Sequence, residues 1–212
     1  MPSFASRRLP WTFLLLAVIA LAIEINFSAH GSWRELLLYD RSAVARGEWW
    51  RLWTGHLVHF GWPHFVADTG LFVILGFLLE NRHPVLSRVA LVFLPLVISG
   101  SLFLFDPAMA RYGGLSAVDL GLLVFLACAG WQRNWVDWFW PAVLAIYVGE
   151  IIFEATYGRG HGGGMIRFDD PAVRVATAAH IPGAIFGCLL SFATRRKEPK
   201  RSRPASADGK TG

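Results

Sequence analysis

The sequence is poor in charged residues and in cysteine. Asp, Glu, Lys and Arg make up 17% of the 212 residues, whereas hydrophobic residues make up 54%. A soluble domain of this size does not carry so many long apolar runs, so the composition favours an integral membrane domain. The two cysteines, Cys128 and Cys188, each lie inside an apolar run. Buried free thiols are therefore favoured over a disulfide.

The formal net charge is only +5, and this charge is concentrated at the two ends of the chain. Lys and Arg next to membrane spans set their orientation and attract anionic lipid. We therefore interpret the charge as an orientation signal. The sequence predicts contact with the lipid bilayer and no nucleic-acid binding.

Six apolar segments approach or reach membrane-spanning length. They cover residues 11–27, 62–79, 85–105, 116–130, 138–153 and 172–192. The predicted fold is all-α, a polytopic bundle of six transmembrane helices over residues 11–194, preceded by a cytoplasmic segment 1–10. The basic, Ser- and Pro-rich tail 195–212 is predicted to be disordered and cytoplasmic. Six spans place both ends on one side, and the distribution of Lys and Arg predicts that this side is the cytoplasm.

The stretch Tyr-Gly-Gly-Leu-Ser-Ala-Val-Asp-Leu at 112–120 is the centre of the functional prediction. Ser116 follows two glycines and a leucine, and it begins an apolar segment. Backbone N–H groups at a helix N-terminus have no partner within the helix, so they stabilise negative charge that develops beside Ser116. The helix from 116 to 130 measures about 22 Å, less than the hydrocarbon core of about 30 Å. Ser116 is therefore predicted to lie below the non-cytoplasmic surface, in a polar cavity.

A second polar side chain in the last span matches this predicted depth. His180 lies about eight residues into a helix expected to begin near Ala172. Small residues recur along one face of that helix, and the fourth span offers Ala117 and Gly121, so the two helices can approach closely. The imidazole is then within hydrogen-bond reach of the Ser116 hydroxyl, and a serine beside a base is an activated nucleophile. A buried structural histidine bonded to a carbonyl is the alternative for this residue alone.

Two motifs at these positions resemble those of the rhomboid intramembrane serine proteases. Gly114-Leu-Ser116-Ala117 is similar to the rhomboid Gly-x-Ser-Gly, although alanine replaces the last glycine. Ala179-His180-Ile-Pro-Gly183 is similar to the rhomboid Ala-His-x-x-Gly. The resemblance implies that Ser116 attacks the carbonyl and that His180 acts as general base and then general acid, without an aspartate.

The segment before and within the second span carries further similar motifs. Trp50-Arg51, the pair His56 and His59, and His64 with Asp68 resemble the rhomboid Trp-Arg, a histidine-rich loop and His-x-x-x-Asn. The stretch Trp-Trp-Arg-Leu-Trp-Thr-Gly-His at 49–56 further resembles the rhombosortase branch. That resemblance implies cleavage of carboxy-terminal Gly-Gly anchoring segments of exported proteins in the bacterial inner membrane, with the active site open to the periplasm.

The resemblance also implies an oxyanion site. His64 would donate to the oxyanion beside the backbone N–H of Ser116, and Gly114 and Leu115 would support this site. His59 would structure the loop over the cavity or hold water. No cofactor and no metal ion is implied.

Asp68 departs from the rhomboid pattern, because a carboxylate in place of Asn cannot donate a hydrogen bond unless it is protonated. We hypothesise that Asp68 accepts a hydrogen bond from His64 and fixes that ring, or that burial keeps it neutral. Asp119 could orient His180 as a third member of the site, or it could form a buried hydrogen bond to another helix.

Three alternatives stay open at this point. The first is a rhomboid protease with other single-span membrane substrates. The second is a non-catalytic rhomboid-like protein that binds membrane partners. The third is a metal or haem protein that uses His56, His59, His64 and His180, but these residues lack a strong ligand spacing.

Overall fold

The computed structural model describes residues 9–133, 138–157 and 176–194, and most of these residues are helical. Six helices within these ranges have 15 or more residues. They are α1 (Trp11–Ser28), α5 (Trp62–Arg82), α6 (Pro84–Phe105), α7 (Ser116–Arg133), α8 (Phe139–Tyr157) and α9 (Thr177–Ser191). Three short helices lie between α1 and α5, namely α2 (Trp33–Leu37), α3 (Arg41–Ala45) and α4 (Arg51–Thr54).

Three of these helices, α1, α5 and α6, are long and apolar enough to cross a membrane. Shorter apolar stretches begin in the other long helices, at Ser116–Trp131, Phe139–Phe153 and Ala178–Thr194, and the last of them continues three residues beyond the end of α9. The prediction of a helical membrane protein is thereby confirmed, and the count of six crossings stays a prediction. The predicted tail 195–212 and residues 1–8 of the predicted N-terminal segment lie outside the described residues.

The start of α9 differs from the prediction. Ala176 is not helical, with φ −82° and ψ 76°, and α9 begins at Thr177, so the predicted start near Ala172 is wrong. The N-cap position is occupied by Ala176, which has no side chain that could cap the helix, so this start is not marked in the sequence. His180 consequently lies in the first turn of α9, close to the same helix end as Ser116 in α7.

A short antiparallel pairing ties the loop after α1 to the segment before α7. Strand β1 (Tyr39–Asp40) pairs with β2 (Arg111–Tyr112), with Tyr39 opposite Tyr112. The side chains of Glu35 and Arg111 form an ion pair beside it. The pairing holds the loop against the two glycines that precede Ser116.

Arg51 fixes this loop from inside. The side chain is buried, and its Nη1 donates to the carbonyl oxygens of Glu35 and Leu38 at 2.8 and 2.7 Å. Its Nε donates to the Glu48 carboxylate at 2.7 Å. One planar guanidinium therefore donates to three acceptors from two turns of the loop. The ammonium group of a lysine cannot make the same three hydrogen bonds with this geometry.

Replacing Arg51 with lysine is expected to lower the free energy of unfolding by about 2–4 kcal/mol, because buried carbonyl groups lose hydrogen bonds to a charged donor. Thermal unfolding of the purified protein in detergent micelles measures this loss. The matched control is Arg46→Lys, since the Arg46 side chain is 66% exposed. Equal unfolding temperatures for the two variants would contradict the anchoring role of Arg51.

A proline inside α6 provides a second attachment for the loop. Pro95 has no N–H, so the carbonyl of Leu91 one turn earlier lacks its helical donor. The indole N–H of Trp53 donates to that carbonyl at 3.1 Å. His56 Nε2 lies 3.2 Å from the Pro95 carbonyl oxygen and 2.9 Å from Ser99 Oγ. The loop and the middle of α6 are thus joined by side chains from two successive turns.

Helices α7 and α9 pack backbone against backbone. A Cβ atom on Gly183 would lie 2.5 Å from the carbonyl oxygen of Ala117, and one on Gly121 would lie 2.8 Å from that of Gly183. A Cβ atom on Gly187 would meet the carbonyl of Gly121. These contacts pair 117 with 183 and 121 with 187, so the helices run parallel and are close along two turns. The predicted close approach of these two helices is confirmed.

Candidate active site

The turn before Ser116 has a backbone conformation that suits glycine. Gly114 has φ +113°, and a Cβ atom there would lie 2.8 Å from His64 Nε2. Helix α7 then begins at Ser116, as predicted. The backbone N–H groups of Leu115 and Ser116 therefore point away from the helix and towards α5.

Both of these N–H groups donate to the same oxygen. Asp68 Oδ2 accepts from the N–H of Leu115 at 2.9 Å and from the N–H of Ser116 at 3.0 Å. His64 Nε2 lies 3.1 Å from the same oxygen. The geometry agrees with the hypothesis that Asp68 accepts a hydrogen bond from His64, and it adds two backbone donors that the sequence did not reveal.

The tautomer of His64 follows from its other ring nitrogen. The backbone N–H of Phe60 donates to His64 Nδ1 at 3.3 Å, so Nδ1 is the acceptor. The proton of the neutral ring is then on Nε2, which faces Asp68. Three N–H donors, one side-chain and two backbone, thus converge on one point beside Ser116. This is the arrangement that a tetrahedral oxyanion requires.

His180 presents a free lone pair on the α9 side of the site. Its Nδ1 lies 3.0 Å from the carbonyl oxygen of Ala176, so Nδ1 carries the proton and donates. The ring is buried, and Nε2 has no hydrogen-bond partner within the described ranges. An imidazole held in this tautomer can accept a proton at Nε2.

The packing of α7 on α9 brings this ring to the level of Ser116. Gly183, one turn after His180, contacts Ala117, the residue after Ser116. However, the predicted hydrogen bond between His180 and the Ser116 hydroxyl is not formed in this structure, because Nε2 has no partner among the residues described. Such bonds are often long without substrate and tighten when it binds.

Tyr147 on α8 also contacts Ser116, and no pattern in the sequence indicated this contact. Its hydroxyl donates to the carbonyl oxygen of Ser116 at 3.1 Å. The bond connects α8 to the first turn of α7. A tyrosine in an apolar span has many possible neighbours, so only the packing of α8 on α7 reveals this one.

Asp119 takes neither of its predicted roles. The side chain is fully buried, and neither carboxylate oxygen has a hydrogen-bond partner in the described part of the chain. The predictions that it orients His180 or bonds to another helix are therefore wrong for this structure. Asp119 follows Ser116 by three residues, which puts both towards one face of α7, but this spacing does not show which side chains of the neighbouring helices lie opposite.

His59 lies against the acidic side chain. It is 1% exposed, its Nε2 is 3.7 Å from Asp68 Oδ2, and neither ring nitrogen has a hydrogen-bond partner among the described residues. Burial lowers the pKa of His59 to about 4, so the ring is neutral at pH 7. In the same described ranges, no group of three or more His, Cys, Asp or Glu side chains is placed to hold a metal ion.

The Rhomboid domain family matches residues 46–197, which include every one of these side chains and most of the chain. The chain belongs to the rhomboid family. The match begins within the loop and continues through α9, so it covers Arg51, the α5 pair His64 and Asp68, Ser116 and His180.

Three curated rhomboid proteins are similar to this rhomboid. Rhomboid-related protein 2 of Mus musculus is 26% identical over 86% of this chain. Rhomboid protease GluP of Bacillus subtilis (strain 168) is 26% identical over 77% of it, and Rhomboid-related protein 1 of Caenorhabditis elegans is 30% identical over 69%. The matches cover 63%, 34% and 40% of those three proteins, so the chain spans less than two thirds of each relative.

Proposed function

We propose that this rhomboid is an intramembrane serine endopeptidase in which Ser116 and His180 form the catalytic dyad. The observation that carries the proposal is the His180 ring, which holds a buried, unshared Nε2 lone pair beside the first turn of α7. The family match and the similarity to a protein named as a rhomboid protease support it.

The proposed reaction uses groups whose positions are described above. The Ser116 oxygen attacks the substrate carbonyl, and its proton passes to His180 Nε2. The carbonyl oxygen becomes an oxyanion and accepts from the N–H groups of Leu115 and Ser116 and from His64 Nε2. His180 then returns the proton to the leaving amine as the peptide bond breaks. Water, deprotonated by the same base, hydrolyses the acyl-enzyme and restores the serine.

The proposed substrates are single-span membrane proteins cut within or near their anchors. The likeness of the stretch 49–56 to rhombosortases favours carboxy-terminal Gly-Gly anchoring segments of exported proteins. We place the protein in the bacterial inner membrane with six spans, both termini in the cytoplasm and Ser116 accessible from the periplasmic side. The distribution of Lys and Arg supports that orientation.

The test uses a reporter with a Gly-Gly motif, an apolar span and a basic tail at its carboxy terminus, co-expressed with the full chain. We expect a shorter reporter product with the wild-type protein and none with Ser116→Ala. A second reporter with an unrelated apolar span distinguishes the two protease alternatives, because a rhombosortase-like enzyme cleaves only the first. Product formation that persists in Ser116→Ala would exclude the proposed dyad.

One observation favours a second function, a non-catalytic binder of membrane partners. The donors needed by an oxyanion are already bound to Asp68 Oδ2. A protein of that kind would retain a bound reporter in a pull-down experiment without cutting it, and Ser116→Ala would leave that binding unchanged.

A further inference from the structure

We infer that the Asp68 carboxylate occupies the oxyanion site before substrate reacts. When a substrate oxyanion binds to the same N–H donors, Asp68 turns and accepts a hydrogen bond from His59 instead. The inference rests on the proposed function, because it concerns the oxyanion of that reaction. It gives Asp68 the role of an internal competitor and His59 the role of a positioning residue.

Asp68 Oδ2 lies at the position that the oxygen of a substrate oxyanion would take. Asp68 Oδ2 lies 2.9, 3.0 and 3.1 Å from the two backbone nitrogens and His64 Nε2. These are the distances at which oxyanion donors act. The site is buried, with Asp68 only 3% exposed, so bulk water does not readily replace the carboxylate. An incoming oxyanion therefore has to displace it.

The second step is the orphaned histidine beside the carboxylate. His59 Nε2 is 3.7 Å from Asp68 Oδ2, just beyond hydrogen-bond length. The ring is held in place by edge-on contacts with His64 and Phe65, at centroid distances of 5.1 and 5.4 Å. A neutral imidazole always carries one N–H, and a buried donor without an acceptor is costly. A small turn of Asp68 towards His59 supplies that acceptor.

These two observations define two positions of one side chain. In the first position, which the structure shows, Asp68 Oδ2 accepts from the three donors, and His59 has no hydrogen-bond partner among the described residues. When the substrate carbonyl is attacked, Asp68 turns to His59, and the three donors take the new oxyanion. No covalent bond changes in this exchange. The carboxylate remains close to a second negative charge, so it slows the reaction even after it has turned.

The exchange predicts a gain of activity from Asp68→Asn. A neutral amide binds the N–H groups more weakly than a carboxylate does, and it can also offer its own N–H to the oxyanion. Loss of one oxyanion donor commonly costs two to three orders of magnitude, so we expect Asp68→Asn to react at least about tenfold faster than wild type.

The test measures labelling of the purified full-length protein in detergent micelles by a fluorophosphonate probe. The Ser116 oxygen forms a bond to phosphorus, fluoride leaves, and His180 takes the hydroxyl proton, so the phosphoryl oxygen occupies the oxyanion site. We expect His59→Phe to slow labelling about tenfold in the wild-type background and by less than about twofold in the Asp68→Asn background. His59→Gln, which keeps an N–H donor, is expected to restore the wild-type rate.

Controls separate this coupling from a general loss of structure. Asp106→Asn removes a carboxylate at the end of α6 that has no role in the proposed exchange, and it is expected to label at the wild-type rate. Thermal unfolding confirms that each variant is folded. The inference is overturned if Asp68→Asn labels no faster than wild type, or if His59→Phe slows both backgrounds equally.

Failure of the proposed function has a different signature. If labelling of both the wild type and Asp68→Asn is unaffected by Ser116→Ala, Ser116 is not the nucleophile and the proposed function falls. If labelling depends on Ser116 but is insensitive to Asp68→Asn, only the present inference falls.

Discussion

Replacing His180 with asparagine is expected to lower the rate of substrate cleavage by about 10⁴-fold, because in the proposed reaction the Ser116 hydroxyl then has no base to accept its proton. The amide of asparagine can still donate to the Ala176 carbonyl that now binds Nδ1. The change therefore removes the Nε2 lone pair while it leaves the first turn of α9 with its hydrogen bond. Initial rates of reporter cleavage in proteoliposomes measure the loss.

The double variant gives the sharper result. Residues that act as one catalytic unit are strongly non-additive, so adding Ser116→Ala to His180→Asn is expected to lower the rate no further. Ile181→Val serves as the control on the same helix, since Ile181 is exposed. A loss of less than about tenfold in His180→Asn would contradict the assignment of the base.

Replacing Gly187 with valine is expected to separate α7 from α9 and to destabilise the protein by about 3 kcal/mol. The new side chain would collide with the backbone of Gly121, which cannot move without shifting the whole helix. For a chain of this length the loss corresponds to a fall of about 6–12 °C in the unfolding temperature. Intrinsic tryptophan fluorescence during heating in micelles records it.

Gly100→Val on α6 is the matched control, because a Cβ atom at Gly100 has nothing within 4 Å. It makes the same chemical change in the same kind of apolar helix. The Gly187 variant is also expected to lose serine labelling, since the proposed dyad depends on the close approach of α7 and α9. An unfolding temperature equal to that of Gly100→Val would show that the close approach is unimportant.

Local patterns in the sequence were enough to place much of this site. Ser116 was predicted to begin a helix, because two glycines and a leucine precede an apolar run, and α7 begins there. The spacing of His64 and Asp68 puts both on one face of a helix, which allowed their contact to be hypothesised. The small residues along one face of α9 likewise predicted a close approach to another helix, and Gly183 and Gly187 make that approach.

What the sequence could not supply was the position of one helix relative to another. The capture of the Leu115 and Ser116 N–H groups by Asp68 depends on how α5 lies against the start of α7. The bond from Tyr147 depends in the same way on α8. Neither contact is marked by a periodic pattern or a fixed spacing in the sequence, because each joins residues far apart in the chain.

The join between the loop and α6 has a mechanical consequence. Trp53 and His56 bind carbonyl groups in the part of α6 where Pro95 interrupts the helical ladder. If the loop moved away from α6, the Leu91 carbonyl would lose its hydrogen bond from Trp53 in an apolar environment. The loop and α6 are therefore expected to move as one rigid body. The membrane anchor of a proposed substrate would then be unable to enter between the loop and α6, and it would have to reach Ser116 from another side of the helix bundle.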